Sequence, residues 1–218
     1  MDAASAPVAP ATQSGQPLQG EVLGHNGAGQ LACRAQFADG LPHGPVQLYD
    51  EDGRVRQQAA YVRGLMDGRS VLYADGRLLA EIDYVAGKRH GWFESYGVTG
   101  KLASRVAYVQ DKPHGAADYF YPDGQLARRA NHVAGLLDGE VRDYDQAGLL
   151  LASATYACGR RQGPLTLFHP NGKPREITMY EDDRKAGAAR RYDENCAPLG
   201  AGGEAPSRRS MLSKWIEG

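Results

Sequence analysis

Gly44-Pro-Val-Gln-Leu-Tyr49-Asp-Glu-Asp-Gly53-Arg54 and Gly68-Arg-Ser-Val-Leu-Tyr73-Ala-Asp-Gly76-Arg-Leu78 follow one pattern. Each has a glycine, an aromatic residue five positions on, and a second glycine eight or nine positions on. The leading glycine recurs at Gly20, Gly44, Gly68, Gly91, Gly115, Gly139, Gly163 and Gly187, in steps of 24 residues with one step of 23. Self-similarity at a fixed period of this length marks a repeat architecture. A second glycine series runs through Gly29, Gly53, Gly76, Gly100, Gly124, Gly148 and Gly172. A third closes most units at Gly40, Gly64, Gly87, Gly135 and Gly159, with Asp111 and Asp183 in its place in two units. Asp suits a turn there because it tolerates left-handed backbone better than most residues.

Aromatic residues keep the same period. Five residues after the leading glycine stand His25, Tyr49, Tyr73, Tyr96, Phe120, Tyr144, Phe168 and Tyr192, and late in each unit stand Phe37, Tyr61, Tyr84, Tyr108, His132, Tyr156 and Tyr180. Between them come Leu31, Val55, Leu78, Leu102, Leu126 and Leu150, then Pro174. Each unit therefore reads as two strands and two turns. In the fourth unit, residues 92–96 form a short strand, 98–100 a turn, 101–109 a longer strand and 111–114 the return turn. The longer strand has period two, with Leu102, Ser104, Val106 and Tyr108 on one face and Lys101, Ala103, Arg105 and Ala107 on the other. The first strand gives no clear inner face. A unit this short buries no core alone, but stacked hairpins bury ladders of equivalent side chains. The expected fold is all-β: an elongated, twisted antiparallel sheet of stacked hairpins, roughly 70 Å long at about 4.8 Å per strand, ending in a short C-terminal helix.

The pattern resembles the MORN-type repeat, in the variant found in bacterial YwqK-type antitoxin proteins. The resemblance covers residues 20–196. It implies a bacterial protein whose hairpin sheet is a binding surface for a toxin or secreted effector, such as a type VI lipase-type effector, and whose role is neutralisation or immunity. MORN repeats elsewhere are tied to membranes, lipids and scaffolding, so an envelope-associated scaffold is the alternative. His25 at the first unit and Cys196 in place of the turn glycine of the last make the ends degenerate, as in capping units.

Composition agrees with an architectural reading. The chain has 218 residues, with 28 glycines, and its twelve tyrosines outnumber the four phenylalanines and two tryptophans together. Lys plus Arg is 25 and Asp plus Glu is 26, a balance that argues against a nucleic-acid partner. No apolar stretch reaches the roughly 18 residues of a membrane span. Residues 1–19 read as a disordered Ala/Pro/Ser tether and 20–196 as the repeat domain. Residues 197–218 read as a Gly/Ala-rich linker and an amphipathic helix with Met211, Leu212, Trp215 and Ile216 on one face. A tether of this kind is expected behind a removed signal segment, which places the protein in the periplasm or envelope, with the cytoplasm as the alternative. Cys33, Cys158 and Cys196 are too few and too far apart for a disulfide framework or a zinc site, and are expected as buried or half-buried small residues.

No catalytic, metal or cofactor constellation is expected. His43, His90 and His114 each precede a leading glycine, so the repeat explains them as turn residues. Gly27-Ala-Gly29 mimics part of a dinucleotide fingerprint but lacks the strand–turn–helix context. Departures from the repeat are the better functional pointers. Trp92 occupies a position that is Glu, Pro, Arg or Ala in other units, with Phe93 beside it, and Tyr119 and Tyr121 lie off the ladders. These aromatics, ringed by Glu94, Arg105, Arg128 and Arg129, are the expected partner-binding patch. Arg208, Arg209 and Trp215 of the tail are the second candidate contact, with a partner groove or a membrane surface. The unbound chain is expected to be a monomer.

Overall fold

The computed structural model describes residues 16–200. The chain divides into two units, one ending at His114 and one beginning at Gly115, each described in its own terms. Unit 1 contains β1 (Gly20–His25), β2 (Leu31–Ala38), β3 (Leu41–Tyr49), β4 (Val55–Val62), β5 (Leu65–Met66), β6 (Gly68–Ala74), β7 (Arg77–Val85), β8 (Lys88–Tyr96) and β9 (Leu102–Val109). β10 (Lys112–Phe120) crosses the division, and residues 115–120 of it open unit 2. The rest of unit 2 is β11 (Leu126–Val133), β12 (Leu136–Leu137), β13 (Gly139–Tyr144), β14 (Leu150–Ala157), β15 (Arg160–Phe168), β16 (Pro174–Glu181), β17 (Arg184–Lys185), β18 (Arg190–Tyr192) and β19 (Pro198–Leu199). The described residues are all-β, and within each unit the strands pair antiparallel with their neighbours in the chain. The expected C-terminal helix lies outside the described residues, as does most of the expected tether. Leu18 and Gln19 lie against the first return turn: the Leu18 carbonyl accepts from Gly40 N–H at 3.0 Å and Gln19 donates to Asp39 at 2.9 Å.

Two kinds of turn build every unit. The return turn has two residues, both with positive φ, such as Asp39 (φ 53) and Gly40 (φ 76) between the paired Ala38 and Leu41. That is the type I′ turn, whose twist matches the flanking strands. It is tighter than the sequence pattern suggests. Gln110 and Asp111 make the fourth return turn alone, and Lys112, Pro113 and His114 already belong to β10. His43, His90 and His114 are thus strand residues, exposed beside the leading glycine, rather than turn residues. The other turn is held by its first residue in several units: Asp50 Oδ1 accepts from the N–H groups of Asp52 (3.0 Å) and Arg54 (2.8 Å). Such a side chain substitutes for backbone hydrogen bonding in a tight turn.

The leading glycine is a bulge rather than a turn. Ile82 pairs with Phe93 and Tyr84 with Arg89, so Asp83 faces three residues centred on Gly91. Gly91 has φ +117, and a Cβ there would stand 2.8 Å from Asp83 Cβ. A side chain is excluded by both backbone conformation and space.

Register decides which face each ladder occupies. Ser95 pairs with Ser104, but Tyr96 pairs with Leu102, leaving Ala103 as the extra residue of a bulge. Neighbours on a strand alternate in face and paired residues share one. Leu102 therefore lies opposite to Ser104, Val106 and Tyr108, a correction to the simple alternation. The same shift occurs before Tyr49 and Tyr73 in unit 1 and before Tyr144 and Phe168 in unit 2. The two aromatic series consequently lie on opposite faces of each sheet, with the leucines beside the early series.

The late aromatic series flanks a stripe of small buried residues. In unit 1, Ala35, Val46 and Ala59 are opposite one another in register, and Phe37 and Tyr61 pack beside them with Leu18, Val22, Cys33, Leu48 and Met66. Burying Phe37 stabilises the unit by roughly 1.5–3 kcal/mol. The stripe continues at Ser70, whose hydroxyl accepts from Gln57 at 3.2 Å, so that two buried polar groups satisfy each other. Unit 2 repeats the stripe with Ala117, Ala130, Val141 and Ala154, all buried. Small residues suit it because the large aromatics fill the space above them.

Candidate functional site

In unit 1, β8 and β9 place Trp92 opposite Ala107, Phe93 opposite Val106 and Glu94 opposite Arg105. Alternation puts Trp92, Glu94 and Arg105 on the face away from the small-residue stripe. Trp92 is 37% exposed, enough to meet a partner, and the Arg105 guanidinium sits 4.8 Å from its ring centroid. Phe93 points to the stripe face, where it meets the Tyr108 ring edge-on at 6.1 Å. The expected Trp92–Phe93 aromatic pair is therefore split: Trp92 is available and Phe93 is packing.

A polar network fixes the Trp92 backbone. Trp92 N–H donates to Asp83 Oδ2 at 3.0 Å, and Asp83 Oδ1 accepts from Arg69 Nε at 2.9 Å. Arg69 also lies 3.8 Å from Glu81, which accepts from the Tyr96 hydroxyl at 2.9 Å. Burial, followed by the Glu81 carboxylate, pushes the Tyr96 phenol up to about 12. The sequence pattern gave no hint of Arg69, Glu81 and Asp83 as supports for Trp92, because they lie in the preceding unit. A rigid indole capped by the Arg105 guanidinium, with Asp83 holding its backbone and Glu94 two residues along its strand, is suited to docking a protein surface.

Unit 2 separates its candidates in the same way. Tyr119, Arg128 and Asp143 share the stripe face, since Tyr119 pairs with Arg128 and Arg128 with Asp143. Arg128 forms a two-pronged ion pair with Asp143, one prong at 3.0 Å. Arg129 is on the opposite face, bidentate to Asp118 at 2.8 and 3.2 Å. The Asp118 carboxylate is only 6% exposed, so this pair is a structural tie more than a free contact. Tyr121 is in a turn and donates to the Tyr144 carbonyl at 2.8 Å. A cleft of about 390 Å³ opens on the stripe face, lined by Tyr119, Arg128, Ala130, His132, Leu137, Val141 and Tyr156. His132 takes a ladder position, and burial pushes its imidazole below the ordinary range. Arg208, Arg209 and Trp215 lie outside the described residues.

Cys33 is half-buried as expected, but Cys158 and Cys196 are exposed, because both occupy turn positions with positive φ (50 and 68). All three thiols are free. Among the described residues no group of three or more His, Cys, Asp or Glu side chains is placed to hold a metal ion.

Comparison with known proteins gives a repeat and little else. No curated protein matches the chain. A crystal structure of an S. aureus TarM mutant in complex with fondaparinux, alpha-GlcNAc-glycerol and UDP aligns with 50% of this chain, at 16% identity and a TM-score of 0.24. The chain spans 19% of that protein's length. Residues 161–182 match the family model described as MORN repeat variant. They run from the second residue of the return strand β15 to just past β16, most of one 24-residue period of the hairpin pattern that recurs along the chain, and this match supports reading the chain as a MORN-repeat protein.

Proposed function

We propose that the chain is a non-catalytic binding protein that neutralises a secreted bacterial toxin by direct contact, as an antitoxin or immunity protein of the YwqK type. The observation that supports this reading is the Trp92–Arg105 pair, an exposed aromatic anchor with a stacked cation on a rigid sheet face. Two carboxylates, Glu81 and Glu94, form one cross-strand row with Arg105 and supply charge selectivity beside the anchor. Anchors already held in one geometry lose little entropy on docking, which favours tight association. A secreted effector of lipase type is the partner class we place first, and the periplasm or envelope is the compartment where the two would meet.

The reading is tested by co-producing the chain with candidate secreted toxins, lipase-type effectors first, and following growth. The native chain is expected to restore growth. Trp92→Ala and Arg105→Glu are expected to weaken protection while leaving the amount of folded chain unchanged, with the loss of one hot-spot anchor worth about 2 kcal/mol or more of binding. Protection by both variants equal to that of the native chain argues against this face. A toxin unaffected by the native chain argues against the function itself.

A further inference from the structure

β1 is an open edge of the unit 1 sheet. It pairs with β2 on one side, and no strand of unit 1 lies on the other. An edge strand presents a row of unpaired backbone N–H and C=O groups, which proteins blunt with charge, proline or short length. The last strands of unit 2 are blunted in this way: β18 carries exposed Arg190 and Arg191, and β19 is two residues long and begins at Pro198. β1 has none of these devices. Its six residues, Gly20-Glu-Val-Leu-Gly-His25, contain no lysine, arginine or proline. The small-residue stripe also ends unfinished there: Ala35, Val46 and Ala59 are buried, but Val22, opposite Ala35, is only half-buried.

The edge is complementary to itself. Alternation puts Gly20, Val22 and Gly24 on the stripe face and Glu21, Leu23 and His25 on the other. Leu23 is 46% exposed, and Glu21 and His25 are exposed. Two copies of a strand joined antiparallel about a two-fold axis keep each face continuous when opposite residues share a face. An axis at Leu23 meets that condition. It sets Leu23 against Leu23 of the second copy, Val22 against Gly24, and Glu21 against His25, so that a carboxylate meets an imidazole at each end. Glu21 meets Arg34 of its own chain through Oε1, at 3.5 Å, which leaves Oε2 for the imidazole. An axis at Val22 instead sets Glu21 against Leu23 and loses the match. With the axis at Leu23, Val22 carries the stripe across the junction.

We propose that β1 pairs antiparallel with β1 of a second copy of this chain, about a two-fold axis at Leu23, and so extends the unit 1 sheet through the pair. The proposal goes beyond toxin neutralisation and stands independently of it. One strand per copy makes a small interface, so the dimer is weak and the expected monomer is its dilute state. Sedimentation velocity of the full chain over a wide concentration series is expected to show monomer converting to dimer. Leu23→Lys changes an exposed side chain, places like charges on the axis, and is expected to weaken dimerisation about tenfold or more. Glu21→Lys and His25→Glu are each expected to weaken it, and the double variant, which restores opposite charges in the reverse sense, is expected to recover it. Loss of a merely structural contact gives no such recovery. Leu23→Cys, in a chain whose own three cysteines are replaced by alanine, is expected to form an intermolecular disulfide on oxidation. Opposed Cα atoms in an antiparallel pair stand about 4.5–5.5 Å apart, within the span of a disulfide. Val98→Cys in the same chain, at a turn position that is 86% exposed, is expected to stay uncrosslinked. Circular dichroism checks that each variant is folded. Trp92→Ala is expected to leave dimerisation unchanged, which separates the outcome from that of the toxin reading. A monomer at every concentration, a dimer that survives Leu23→Lys, a double variant no better than its singles, or equal crosslinking at Leu23 and Val98 overturns the proposal.

Discussion

Gly91→Ala tests the claim that the leading glycine is a bulge residue set against the preceding unit. Gly91 has φ +117, a conformation that costs a residue with a side chain about 1–3 kcal/mol. The added Cβ would stand 2.8 Å from Asp83 Cβ and 2.9 Å from its Oδ2, so Asp83 must move. Asp83 holds both Trp92 N–H and Arg69, and overpacking of this kind adds about 1–2 kcal/mol. Gly68 occupies the same place in its unit with φ +104, but its nearest neighbour is Ala60 Cβ at 3.6 Å, an ordinary contact. Gly68→Ala therefore carries the backbone cost without the clash. Gly53, with φ +76 and open space around it, measures the left-handed turn alone, at about 1–2 kcal/mol. Urea unfolding followed by far-ultraviolet circular dichroism should rank the three variants with Gly91→Ala the least stable, by about 1–2 kcal/mol relative to Gly68→Ala. Equal destabilisation by Gly91→Ala and Gly68→Ala would show that Asp83 does not crowd the glycine, and the account of this bulge would fall.

Tyr96 should titrate at about 12 by its ultraviolet absorbance, and Glu81→Gln should lower that value toward the ordinary tyrosine range. Its folded value is raised, so the stabilisation it gives is complete below about pH 10 and is lost as pH rises through the folded value; an unchanged titration in Glu81→Gln would discount the carboxylate. Asp111 behaves in the opposite sense. Hydrogen bonds from Arg89, the backbone N–H first, hold its carboxyl below the usual range. Its contribution is present above about pH 4 and lost as pH falls through the folded value. Asp111→Asn should be less stable than the native chain at neutral pH and flatter in acid, as read from urea midpoints across pH; parallel pH profiles would contradict the assignment.

Much of the fold was legible because the period is written twice, in glycines and in aromatics. The return-turn dipeptides Asp39-Gly40, Arg63-Gly64 and Ala86-Gly87 carry a turn signal of their own. The facing of the early aromatics was not legible. It depends on one extra residue, such as Ala103, and a bulge of that kind leaves alternation locally intact while moving everything beyond it to the other face. Leading glycines read as turns for a similar reason: positive φ is needed at both turns and bulges, and sequence does not distinguish them. At the candidate site, Trp92 stood out as a departure from the repeat. Its separation from Phe93 follows from strand alternation. Its support by Asp83 and Arg69 depends on register between units.

The central claim is that this repeat protein acts by stoichiometric binding of a toxin. Calorimetric titration of the purified chain into a candidate toxin of lipase type tests that most directly, with toxin activity measured across the same series. The account predicts saturation at an equimolar ratio, loss of toxin activity in step with occupancy, and marked weakening in Trp92→Ala. Absence of binding heat together with full toxin activity in excess chain would contradict it.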